Sequence, residues 1–142
     1  MFTRSPLRLA LESGDRKAII KTVRARAHVD PVSGCHIWPL RPKDPYPRVT
    51  VGRRTIDVHR AVLEARLGYP LGDMAAHHRC SVARCVNPDH LQPVTQASNV
   101  AEMLARTYYV SRIRALEAAL SAIRPCHELL RGYPDSDVAK PV

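Results

Sequence analysis

The run Cys80-x4-Cys85-x4-His90 constrains this chain more than any other feature. Two thiols and an imidazole lie close together on a loop that also carries Asn87 and Pro88. That spacing suits a shared metal ion better than it suits packed free thiols. Zinc takes about four soft or borderline donors in a tetrahedron, so the loop supplies three and one must come from elsewhere. Cys35, which opens a predicted strand, is the best candidate for the fourth ligand, with His36 its nearest rival. Such a site closes a long loop, and metal binding of this kind contributes directly to folding. The staple matters because the core is small: 142 residues include 12 prolines and only 5% aromatics. Cys126 is left over and is expected to be a core thiol at a helix end.

The remaining composition narrows the class. No apolar run approaches a membrane span, and no signal peptide is expected, so the reading is a cytoplasmic protein with no membrane partner. Cysteines in that compartment favour metal over disulfides. Lys and Arg number 22 against 13 acidic residues, a formal charge of +9. The excess is lopsided: residues 1–60 hold 13 basic and 5 acidic side chains, residues 61–142 hold 9 and 8. Eighteen of the cations are Arg, whose fork matches phosphate and guanine. A polyanion, nucleic acid first, is the expected partner.

Along the chain, 5–13 and 15–27 read as helices, the second capped by Asp15 and striped by Ile19, Ile20 and Val23. Together they make a basic N-terminal segment, 1–29. Asp30 to Gly34 is turn chemistry, and 35–39 a short strand. A proline-rich loop fills 40–46. Residues 47–51 alternate, and Gly52-Arg53 turns them into 54–57, giving a hairpin. A helix over 58–67 stops at Gly68. Strands over 74–78 and 89–94 flank the cysteine loop, and Thr95 or Ser98 caps a helix running to about Arg106. A central domain of 30–106 is therefore expected. A separate helix over 109–124, with Val110, Ile113, Leu116, Leu120 and Ile123 as its stripe, belongs to a segment 107–131 that docks or dimerises. A loose tail, 132–142, closes the chain. The fold class expected is α+β.

Strand, cysteine loop, strand and helix form a recognisable order. Val58-His59-Arg60, His78-Arg79-Cys80, Cys85-Val86-Asn87-Pro88-Asp89-His90-Leu91, Pro93-Val94-Thr95 and Asn99, with Gly34-Cys35-His36-Ile37-Trp38 upstream, resemble the zinc-loop HNH endonucleases common in bacteriophages. They are also similar to the His-Cys box homing endonucleases. The resemblance covers about residues 30–105 and leaves both ends unmatched. It implies a ββα-metal nuclease core with an N-terminal hairpin and flanking helices. It implies a free-standing homing or other phage-encoded enzyme that hydrolyses DNA, leaving 5′-phosphate and 3′-hydroxyl ends.

The resemblance also implies roles. His78 would be the general base that takes a proton from water, and an imidazole near its natural pKa suits that task at neutral pH. Asn99 would ligate a catalytic divalent ion, with Mg²⁺ favoured by its oxygen donor. Many relatives carry Asp where this chain has His77. If His77 ligates instead, Mn²⁺ or another transition metal comes into play. His59 and Arg60 open a helix that faces the active site in the family. Arg60 would clamp the scissile phosphate, with Arg54 the alternative. Arg48, Thr50, Arg53 and Arg54 would read double-stranded DNA from the hairpin. Trp38 and Tyr46 are expected to pack rather than stack on bases.

The helical stripe over 109–124 also fits a homodimer. The competing reading is a zinc-stapled DNA-binding module without catalysis, or an interaction domain that only keeps the fold. A pure binder needs Cys35, Cys80, Cys85 and His90. It does not need His78 and Asn99.

Overall fold

In the computed structural model, residues 5–39, 44 and 46–131 are described. The expected tail at 132–142 and most of the loop at 40–46 lie outside them. The architecture is mixed α+β, built, among the described residues, from helices and three separate two-stranded antiparallel hairpins. Two compact units divide it, residues 1–96 and 97–142.

The first unit opens with α1 (Pro6–Ser13) and α2 (Arg16–Arg26). Both begin as their sequences dictate. The Ser5 hydroxyl accepts from the Arg8 amide and Asp15 accepts from Ala18, each satisfying a donor that the first turn leaves open. Gly14 separates them in the left-handed region. The buried faces, Leu7 and Ala10 on α1 and Ile19 and Val23 on α2, meet Val58, Val62 and Ala65 of α3 (Val58–Leu67). Trp38, Val49 and Val86 complete that core. A second, smaller cluster of Leu63, Leu71 and Leu91 lies on the other side of α3. The helix α3 therefore serves two cores, which is why it is apolar on more than one face.

Strand β1 (His28–Val29) pairs with β2 (His36–Ile37) across the turn at 30–34. Strand β1 was not expected from the sequence, because two residues are too few to show alternation. Asp30 holds the turn: its carboxylate accepts from Val32 and from the Ser33 hydroxyl, and Gly34 bonds back to its carbonyl. Strands β3 (Arg48–Val51) and β4 (Arg54–Asp57) form the expected hairpin, with Gly52 at φ 60° in its turn. Strand β5 (Ala75–His78) pairs with β6 (Leu91–Val94), His78 opposite Leu91. Between them run the cysteine loop and a 3₁₀ turn at Pro88–His90. That turn takes the first residues assigned to a strand over 89–94, because Asn87 caps it by accepting from the Asp89 amide.

The second unit differs from expectation. Two helices, ending at about Arg106 and resuming at 109, are one helix, α4 (Gln96–Ile123). No glycine or proline falls between Arg106 and Tyr109, so nothing in the backbone stops propagation. Its start puts Thr95 at the N-cap position. Cys126 beyond it is exposed, not a core thiol, because the helix end it follows buries no residue.

Candidate metal centre and the histidine beside it

The ligand atoms of Cys35, Cys80, Cys85 and His90 all lie within 4.8 Å of one another. Cys35 Sγ stands 3.5 Å and Cys85 Sγ 3.7 Å from His90 Nδ1. A tetrahedral zinc with its ordinary bond lengths places sulfur and nitrogen ligands about 3.6 Å apart. The donor set and its edges therefore fit a structural zinc, taken through Nδ1 of His90. Cys35 is the fourth member of the cluster. His36 is instead half-buried among Ile20, Arg24, Val62 and Arg66, where burial lowers its pKa.

Backbone pairing brings the distant Cys35 into place. Trp38 N donates to Arg84 O at 2.9 Å and Val86 N to His36 O at 2.8 Å, so β2 runs antiparallel to the loop beside Cys85. Asn87, the one buried polar or charged residue among the described residues, ties the two segments again. Its side-chain amide donates to Gly34 O at 2.9 Å, and its backbone amide points at Cys85 Sγ. Gly34 holds φ 70°, which an L side chain rarely adopts, and it packs under the His90 ring. Without metal, burial raises the Cys80 thiol and pushes Cys85 up to about 12. Metal binding must then displace these protons.

The same loop governs His78. The Cys85 carbonyl sits 3.0 Å from His78 Nε2. A carbonyl can only accept, so Nε2 carries the proton and Nδ1 keeps the lone pair. Cys85 thus contributes its sulfur to the metal cluster and its carbonyl to the imidazole. The His59 ring, at the start of α3, lies 5.0 Å from that of His78, and Tyr46 lies 5.9 Å from His59. Among the described residues, His59 Nδ1 is buried with no hydrogen-bond partner. Burial, and then the neighbouring His59, lower the His78 pKa to about 4; burial lowers His59 as well. The expectation of a near-ordinary pKa is thereby corrected. At neutral pH His78 is then the neutral imidazole, protonated on Nε2 and free of a proton on Nδ1, and an approaching anion would raise its basicity.

The other candidates take different places. Strand alternation turns His77 to the face opposite His78. Asn99 is half-buried in the first turn of α4, in the second unit. Arg60, expected on a phosphate, instead donates to Glu64 and to the carbonyls of Gly72 and Met74, at 2.6–3.1 Å. It pins α3 to the turn before β5, and Glu64 continues the tie to the Leu71 amide. Arg48 pairs with Asp57 at 2.9 Å. Thr50, Arg53 and Arg54 are exposed on the hairpin, but Arg54 lies opposite Val51 and so projects from the other face than Arg48 and Thr50. Trp38 is buried beneath the Arg26 guanidinium, whereas Tyr46 is partly exposed.

The role of Asn87 is not among the sequence expectations. Its signal was the Asn-Pro-Asp turn chemistry between two ligands. Comparison with protein-family models, curated proteins and solved structures gives no match. No helix among the described residues is long and apolar enough to cross a membrane.

Proposed function

We propose that this chain is a zinc-stapled DNA endonuclease of the HNH type, in which β5, the cysteine loop and β6 supply the two strands of a ββα-metal core. The observation that supports it best is the hydrogen bond from His78 to Cys85 O, because it joins an oriented imidazole to a metal-ligand residue. A module that only bound DNA has no need of a half-buried imidazole with its tautomer fixed and one nitrogen left unprotonated.

In this reading the chain supplies three functions. Cys35, Cys80, Cys85 and His90 hold zinc, which when bound is structural and locks the loop. His78 Nδ1 accepts a proton from the water that attacks the phosphodiester, while the Cys85 carbonyl keeps the ring in place and stabilises the imidazolium that forms. Asn99 is the assigned holder of a catalytic divalent ion, which when bound stabilises charge on the phosphate and the leaving 3′ oxygen. Thr50, Arg53 and Arg54 contact the duplex from the β3–β4 hairpin, where they are exposed. Arg60 acts one step back, by fixing α3 and hence His59 beside His78.

Nicking of supercoiled plasmid tests this directly. Purified protein is expected to nick with Mg²⁺ or Mn²⁺ and to stop on EDTA addition. Asn99→Ala should lose at least a hundredfold in rate while binding duplex as before. Salt-dependent binding without nicking under any of these ions would contradict the enzyme and leave a zinc-stapled binding module.

A further inference from the structure

The helix α4 is 28 residues long and buries none of them. Most of its large apolar residues are exposed, with Val110 and Leu120 half-buried, and they do not lie on one continuous face. At about 100° per residue, Val100, Leu104 and Tyr108 line one side of the helix. Tyr109, Ile113, Leu116, Leu120 and Ile123 line a side roughly opposite. The change falls between the two adjacent tyrosines, whose rings meet edge to face at 5.5 Å. Only the second stripe steps regularly by four and three, which is the a/d repeat of a coiled coil. Tyr109, Ile113 and Leu116 are 54–62% exposed and Ile123 is 79% exposed. A contiguous apolar seam of this kind calls for a partner.

We infer that residues 109–123 of α4 pair with the same segment of a second copy as a short parallel two-stranded coiled coil. Charge placement favours that occupant and that direction. With Ile113 at a and Leu116 at d, Arg112 falls at g and Glu117 at the following e. In a parallel pair these are the positions that meet across the seam, so each copy's Arg112 faces its partner's Glu117, twice over by symmetry. Within one helix the two are five residues apart and do not face each other. The seam is two heptads long, and Arg106 at the preceding a position ends it. The dimer is therefore weak and depends on concentration. It stands independently of the nuclease reading.

Sedimentation equilibrium of the zinc-loaded 142-residue chain, from micromolar to near-millimolar, tests it. Wild type is expected to shift from monomer to dimer, and Leu116→Glu to remain monomeric with its thermal melt unchanged. Glu117→Arg should weaken the dimer several-fold, and Arg112→Glu combined with Glu117→Arg should restore it. Mild oxidation adds a test of direction, because a parallel pair brings the two exposed Cys126 thiols to one end. Peptide mapping should find a Cys126–Cys126 crosslink that Cys126→Ser removes. Monomer throughout, association untouched by Leu116→Glu, or no rescue by the double swap would overturn the inference.

Discussion

Asn87 shows how much a single buried amide can hold. It caps the turn that carries His90, reaches Gly34 beside Cys35, and offers its backbone amide to Cys85 Sγ. Asn87→Ala leaves the Gly34 carbonyl without that donor and should cost about 1–3 kcal/mol. The expected result is a lower melting temperature and faster zinc loss to a chelator than wild type. His59 invites a second test at this scale. Burial holds both His59 and His78 below the free value of about 6.5, so the unfolded chain takes up protons first as pH falls. Stability is whole above that value and declines on acidification toward the folded values. Denaturant titrations should show His59→Gln losing less stability between neutral and mildly acidic pH than wild type, since zinc release affects both alike. An equal loss would show that the imidazole is not held neutral.

Among the elements, the β3–β4 hairpin and α3 divide what the sequence treated as one basic surface. Arg48 is paired with Asp57 and Arg60 is occupied by Glu64 and two carbonyls, while Arg53 and Arg54 are exposed. Arg53→Ala and Arg54→Ala should each weaken duplex binding and reduce the logarithmic salt slope by about 0.9. Arg48→Ala should do less, and Arg60→Ala should lower thermal stability more than it lowers affinity. Ligands and elements were legible because each has a local signature: donor spacing, capping residues, strand alternation, and Gly68 ending α3. The committed arginines were not, because Gly72 O, Met74 O and Asp57 become their partners only once the chain has folded. The continuity of α4 was missed for a related reason. A stripe that changes sides at Tyr108 and Tyr109 reads as two helices when periodicity is the guide, although the backbone has no break.

Across the whole molecule, the first unit gathers its long-range order around one cluster. Cys35 reaches Cys80, Cys85 and His90, β2 docks on the loop at Trp38 and Arg84, and the loop carbonyl fixes His78. Removing zinc should therefore do more than lower stability. A strong chelator should abolish any plasmid nicking and broaden the His78 ring resonances, and readdition of zinc with Mg²⁺ should recover both. Cys80→Ser or Cys85→Ser should reproduce the metal-free melting temperature. Identical melts with and without chelator would remove the staple from the account. The most direct test of the central claim is the plasmid nicking rate of His78→Ala against wild type, both at full zinc content. The account predicts a loss of at least a thousandfold with zinc content and duplex affinity unchanged; nicking at the wild-type rate would contradict it.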